Sequence, residues 1–208
     1  MSAQPSFEKP WVSIEDYLAA ELLSDTKHEY DGGDVVAMSG ASRNHERIKG
    51  NIAAALHVHL RGKPCEAFSS DLKIKIGQYL FYPDTMVVCE DTSTHEYYVE
   101  TPALVVEVLS KSTRRRDETL KRRLYQTVPT LQEYVLIEQD IVDVEVCRRS
   151  EGWVSDHYFL GDDVTFESVG LTLGVADIYA RVDNEDMRTY IAEQAVAQTA
   201  VEAGTPQT

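Results

Sequence analysis

The sequence predicts a single α/β (α+β) domain: a central mixed β-sheet flanked by helices, with extra β-hairpins. Three features point there. From about Arg43 to Arg61, Ile48, Ile52, Ala55, Leu56 and Leu60 recur at three- and four-residue intervals, the pattern of a helix that lays one face on a sheet. The run from Ala103 to Ser110 is almost wholly apolar, as a central strand covered on both faces should be. Shorter stretches such as Asp71-Leu72-Lys73-Ile74-Lys75-Ile76 alternate charged and apolar residues, the mark of a half-exposed strand.

In chain order, Ser13-Ile14-Glu15-Asp16 reads as a capping box that opens a short helix through about Leu23, with Val12 stapling against Tyr17. Lys27 to Met38 reads as a hairpin about Asp31-Gly32-Gly33, an edge ornament with no part in chemistry. The long helix ends at Gly62 and Pro64. His45, Glu46 and Lys49 lie on its first turns, where polar groups could reach a neighbouring site, although His45 and Glu46 are expected to face solvent. Strands follow at Glu66 to Ser69, Asp71 to Ile76 and Leu80 to Cys89, then a polar connection from Asp91 to Thr101. A helix capped by Ser112 or Thr113 follows the strand Ala103 to Ser110, and its inner stripe would be Leu120 and Leu124 with Tyr125 beside them. Glu133 to Ile137 is another buried strand, and Val142, Val144 and Val146 begin a strand that returns through Trp153 to Phe159. Leu171 to Gly174 leads into a short helix near Val175 to Val182. Residues 1–182 thus form one domain, and 183–208 form an acidic, polar tail that is partly helical or disordered.

The chain has 208 residues, 43% hydrophobic and 26% charged, which suits one domain with a sizeable core. No run approaches the roughly 18 apolar residues of a membrane span, and the N-terminus lacks a secretory pattern, so a cytoplasmic protein is expected. Cys65, Cys89 and Cys147 match neither a disulfide framework nor a zinc site and read as buried reduced thiols. The formal net charge of −15 argues against coating nucleic acid through a general electrostatic field. Such a partner must be met locally, and one basic cluster exists: Lys111, Arg114, Arg115, Arg116, Lys121, Arg122 and Arg123. A solvated helix face explains the same run.

The chemistry is suggested by two carboxylates. Asp84 opens an apolar run, and Glu107 interrupts Leu104-Val105-Val106-Glu107-Val108-Leu109. An ionised Glu there costs several kcal/mol unless it is paired or bound to a cation. If the two strands are neighbours, Asp84 and Glu107 can converge on one divalent metal. His-Glu-x-x-His is absent, which excludes a zinc hydrolase of that type.

Helix, three strands with Pro83-Asp84 on the second and Glu107 on the third, helix, strand: this order resembles the PD-(D/E)XK nuclease fold, a restriction-endonuclease-like core. More narrowly, the chain resembles the Uma-two family of restriction endonucleases. The matching stretches are Lys27-His28-Glu29-Tyr30 with Asp31-Gly32, His45 followed by Asn51, Ser70-Asp71-Leu72, Tyr82-Pro83-Asp84, Val105 to Ser110 with Ser112-Thr113, Asp117-x-x-x-Lys121-x-x-x-Tyr125, and Leu131-Gln132-Glu133-Tyr134. They cover about residues 13 to 182. The resemblance implies a metal-dependent endonuclease acting on nucleic acid, DNA before RNA, with Mg²⁺ or Mn²⁺ at Asp84 and Glu107. One place departs from the pattern: the superfamily lysine stands two residues beyond the strand glutamate, where this chain has Leu109. Lys121 is then the candidate displaced lysine, Lys111 a second, Lys73 and Lys75 weaker ones. Lys121 would orient or deprotonate a water, or neutralise charge developing on the phosphate, with its stem running along the margin of the packed helix face. Glu46 is an accessory outer contact, and Arg114, Arg115 and Arg116 would bind phosphates. A homodimer would suit cutting both strands of a duplex. Two rival readings stand beside it: a binding module with the nuclease fold and no turnover, and a purely structural Glu107 buried as the partner of an Arg or Lys.

Overall fold

The computed structural model describes residues 11–89 and 95–204, with side chains to 196. Helix α1 (Ile14–Glu21) begins at the capping box: Ser13 Oγ accepts from the Asp16 N–H and donates to the Asp16 carboxylate. Strands β1 (His28–Asp31) and β2 (Asp34–Ala37) form the expected hairpin. Helix α2 (Arg43–Leu60) buries Ile48, Ile52, Leu56 and Leu60. Then come β3 (Glu66–Ser69), β4 (Lys73–Ile76), β5 (Tyr79–Phe81), β6 (Thr85–Val88), the short β7 (Tyr98–Val99) and β8 (Pro102–Leu109). The described part of the polar connection supplies β7, and residues 90–94 of it lie outside the described residues.

After β8 the chain forms α3 (Arg114–Arg116), a π-helical turn (Asp117–Lys121) and α4 (Arg122–Gln126). It continues through β9 (Glu133–Glu138), β10 (Val144–Arg148), β11 (Ser155–Tyr158), β12 (Asp163–Phe166) and β13 (Leu171–Gly174) to α5 (Val175–Ile178) and α6 (Glu185–Gly204).

The central sheet has the order β11-β10-β9-β8-β6-β3, with β8 parallel to β9 and the other pairs antiparallel. Parallel neighbours require a crossover, and the α3–π–α4 segment is that crossover. Every residue of β8 is buried, as its apolar run predicts. Leu104, Val106 and Val108 face the core under α2, while Val105 and Leu109 face a second core with Phe81, Met86, Tyr125 and Tyr134. A second sheet, β2-β1-β5-β4-β7, stands beside it, and β12 pairs with β13 separately. Asn51 fastens α2 to the end of α5 by donating to the carbonyls of Ile178 and Ala180.

Three expectations are corrected. The strand from Leu80 to Cys89 is two strands, β5 in the second sheet and β6 in the central one. Pro83 has no N–H for a ladder and holds the preceding residue extended, so the chain changes sheets at Tyr82-Pro83-Asp84. Cys65 and Cys89 are joined by a disulfide, while Cys147 is free and buried. The pairing of Glu66 with Val88 brings these cysteines opposite one another, a register invisible in their separation of 24 residues. The crossover helix, finally, buries Asp117 and Lys121 along with Tyr125, expected near the inner face, while Leu120 and Leu124 are only half-buried. Its interior partners are acidic, so the polar stripe turns inward.

Ile52 is fully buried on the inner face of α2, and Ile52→Ala should lower the unfolding free energy by about 2–5 kcal/mol. Urea denaturation measures it; a loss below about 1 kcal/mol would contradict the packing of α2 on the sheet.

Candidate active site

Asp84 and Glu107 are brought together by the β6–β8 register. Thr85 pairs with Val106, so the residue before Thr85 lies beside Glu107. The two residues clasp each other: the Asp84 N–H donates to Glu107 Oε2 at 3.3 Å, and the Val108 N–H donates to Asp84 Oδ2 at 2.8 Å. Asp84 itself occupies the bend ahead of β6 and is half-buried, whereas Glu107 is only 3% exposed.

Lys121 reaches Glu107 from the crossover helix. Its Nζ lies 3.0 Å from Glu107 Oε1, 2.9 Å from Glu29 Oε1 and 3.1 Å from Asp117 Oδ1. Tyr125, one turn on, donates to Glu107 Oε1 at 3.2 Å. Lys121 is 4% exposed, which corrects the expectation of a side chain at the margin of the packed face. A buried ammonium is retained only among acceptors, and three carboxylates supply them. The π-helical turn contains both Asp117 and Lys121, and such widened turns recur at functional sites.

The electrostatics follow from this geometry. Burial pushes the Glu107 carboxyl well above the usual carboxylate range; Lys121 opposes that shift, and the nearby Asp117, Asp84 and Glu29 reinforce it. Asp117 is raised for the same first reason. Burial pulls the Lys121 ammonium down, but Glu107, Glu29 and Asp117 together hold it well above the usual lysine value. Lys121 is therefore a standing cation at neutral pH.

These groups line a cleft of about 470 Å³ together with His45, Glu46, Lys49 and Arg116. His45, expected to face solvent, is 9% exposed with Nε2 3.2 Å from Asp84 Oδ2, because the start of α2 abuts the β5–β6 bend. Its Nδ1 is buried with no hydrogen-bond partner among the described residues. Glu46 is half exposed and bonds Lys49 at 2.6 Å. Glu29, on the hairpin read as an ornament, is buried and lines the cleft, which corrects that reading as well. No period reveals it, because β1 is too short to carry one and its burial depends on a helix about ninety positions later; the one signal was its place in the Lys27-His28-Glu29-Tyr30 stretch.

The basic run does not form the expected open patch. Arg114 pairs with Glu138, Arg122 with Glu145 at 2.7 Å, and Arg116 with Asp31 at 3.3 Å and Glu29 at 3.6 Å. Of Arg114, Arg115 and Arg116, only Arg116 lines the cleft. Arg115 and Lys111 are exposed and do not line it. Lys75 pairs with Glu100, and Lys73 is buried over the Tyr82 ring, so neither weaker lysine candidate reaches Glu107.

Whether a divalent cation suits these residues can be judged from their charges. The cleft is lined by six carboxylates, Asp25, Glu29, Glu46, Asp84, Glu107 and Asp117, against four cations, Lys27, Lys49, Arg116 and Lys121, a formal excess of two negative charges. A divalent ion would restore balance. Among the described residues, no group of three or more His, Cys, Asp and Glu side chains is arranged to enclose a metal. Mg²⁺ does not need such a cage: it keeps several waters and is commonly held by one or two carboxylates. Asp84 and Glu107 fit that mode.

The comparisons with known proteins agree with this architecture. The model of the Uma2 family, described as “Putative restriction endonuclease”, matches residues 14–177. The uncharacterized protein slr1290 of Synechocystis sp. is 37% identical over 180 residues, spanning 84% of this chain and 95% of its own length. A second Synechocystis protein, sll1609, is 36% identical over 139 residues, 64% of this chain and 78% of that one. Among solved structures, one described as a “putative nuclease belonging to DUF820” from Anabaena variabilis superposes with a TM-score of 0.67 at 18% identity. It covers 81% of this chain and 98% of its own, a likeness of fold. Among the described residues, no helix is long and apolar enough to cross a membrane.

The buried charges set two expected outcomes. Because the folded-state values of Glu107 and Asp117 are raised, the folded protein binds more protons than the unfolded chain above the ordinary carboxylate range. The stability they contribute is present at acid pH and lost as pH rises through their folded values. In chelator, Glu107→Gln should therefore gain on wild type as pH rises, read as the difference in Tm; a difference independent of pH would contradict the raised value. Lys121→Ala removes the ammonium that three buried carboxylates share and should cost about 3–5 kcal/mol in chelator. Urea denaturation checks it, and a loss below about 1 kcal/mol, the worth of a surface pair, would contradict the buried network.

Proposed function

Because the chain belongs to the Uma2 family of restriction-endonuclease-like proteins, we propose that it hydrolyses phosphodiester bonds in nucleic acid, DNA in the first place, using Mg²⁺ or Mn²⁺ held by Asp84 and Glu107. One observation carries this reading: the Lys121 ammonium stands 3.0 Å from Glu107 in the cleft that Asp84 also lines, although position 109 is leucine. A helix-borne lysine supplies the charge that the strand lacks.

In this reading each residue has a defined task. A cation at Asp84 and Glu107 supplies Lewis-acid polarisation of a phosphate and a more acidic water. Asp84 and Glu107 each have one oxygen fixed by a backbone N–H of the other's segment. Lys121, as an ammonium, donates to charge developing on the phosphate and acts by electrostatic stabilisation. Arg116 offers guanidinium donors to a phosphate entering the cleft. Glu46 remains an outer contact. The protein would work in the cytoplasm, as a homodimer where both strands are cut.

A second reading has its own observation. Three carboxylates surround Lys121, and Arg114 and Arg122 are paired elsewhere, which suits a module that binds without turnover. Cleavage assays on single- and double-stranded DNA and RNA with Mg²⁺ and with Mn²⁺ separate the two. Asp84→Ala should abolish cation-dependent cutting, Lys121→Ala should lower the rate roughly 10²-fold or more, and Lys111→Ala should leave it unchanged. Binding of duplex DNA by wild type with no cutting under either ion would replace the nuclease by the binding module.

A further inference from the structure

The hairpin β1–β2 stands at the edge of the second sheet, yet it carries a buried acid, Glu29, into the lining of the cleft. Glu29 Oε1 lies 2.9 Å from Lys121 Nζ and accepts from the Tyr82 N–H at 3.3 Å. Glu29 Oε2 faces the Arg116 guanidinium at 3.6 Å. A single buried carboxylate thus touches the candidate lysine, the backbone two residues before Asp84, and the arginine that lines the cleft. An edge hairpin has no packing reason to bury an acid, whose desolvation is costly without partners.

We propose that Glu29 is the positioning residue that keeps the Lys121 ammonium in the cleft when Glu107 turns to a cation, an inference that rests on the nuclease reading above. Glu107 Oε1 is shared between Lys121 and Tyr125. A divalent charge on Glu107 weakens its hold on an ammonium and repels that ammonium directly. Lys121 then needs acceptors that are not ligands of the ion. Asp117 is one, but it rides on the same turn of helix and cannot fix that helix against the sheets. Glu29 comes from the other sheet and is tied to the Tyr82-Pro83-Asp84 bend, so it sets the distance between Lys121 and Asp84. Asp31, the neighbouring hairpin acid, meets only Arg116 among these groups and serves as the control.

Glu29→Gln keeps an oxygen for the Tyr82 N–H and removes the charge. The expected result is a fall in kcat of roughly 10²-fold, the scale of a positioned group displaced by about 1 Å, with KM for DNA little changed. In a Lys121→Met background the same change should cost nothing further, because both act through one ammonium. A readout independent of cleavage is acetylation of lysines followed by mass spectrometry. In wild type, Lys121 should react far more slowly than exposed Lys111; in Glu29→Gln its protection should be lost, and in Asp31→Asn kept. Unchanged kcat with Lys121 still protected overturns the proposal, as does a full additional loss in the Lys121→Met background. If wild type cuts no nucleic acid, the nuclease reading fails and the acetylation pattern alone decides: protection kept in Glu29→Gln overturns the positioning role, and protection lost upholds it. If Glu29→Gln does not fold, Glu29→Asp, which keeps the charge but falls short by one methylene, goes through the same measurements, and the same outcomes uphold or overturn the positioning role.

Discussion

The buried ammonium of Lys121 is the interaction on which the rest of the structure depends. It joins the crossover helix to β8 through Glu107, to the second sheet through Glu29, and to its own helix through Asp117. Remove it, and three carboxylates are left together in a low-dielectric interior, where desolvation exceeds what their remaining partners offset. The π-helical turn, the inward polar stripe and the aromatic wall of Phe81, Tyr125 and Tyr134 are arranged around that one charge.

Such an arrangement is poor evidence of stability and better evidence of use. Apolar residues of similar volume often hold a core as well as a buried ion network does. A carboxylate raised by burial beside Asp84, with a lysine kept charged, is a state that a divalent cation would relieve. Perturbed titration of this kind clusters at functional sites, although structural networks also produce it. The added weight comes from position: the network borders a cleft and lies at the bend where the chain passes between sheets.

The neutralised arginines alter how nucleic acid would be met. With Arg114 on Glu138 and Arg122 on Glu145, the basic run strengthens the fold more than it builds a field. An acidic protein of this kind would engage phosphates at a few defined points, Arg116 foremost, so the electrostatic part of its affinity would be small and its salt dependence shallow.

How much of this was legible beforehand depends on the range of the interaction concerned. The sequence alone determined the α2 helix, the buried β8 and β9 strands, the hairpin at Asp31-Gly32-Gly33, the capping box at Ser13, and the suspicion attached to Asp84 and Glu107. Each rests on local periodicity, turn chemistry, or the cost of a charge in an apolar run, all of which act between near neighbours. Tertiary structure alone decided that the Leu80 to Cys89 stretch changes sheets, that Cys65 meets Cys89, that His45 and Glu29 enter the cleft, and that Lys121 is inside and charged. These depend on which distant partners arrive at a side chain. Lys121 on an isolated helix would be a surface residue; it is buried because Glu29, some ninety positions earlier, and Glu107 come to meet it, and no spacing within the helix encodes their arrival.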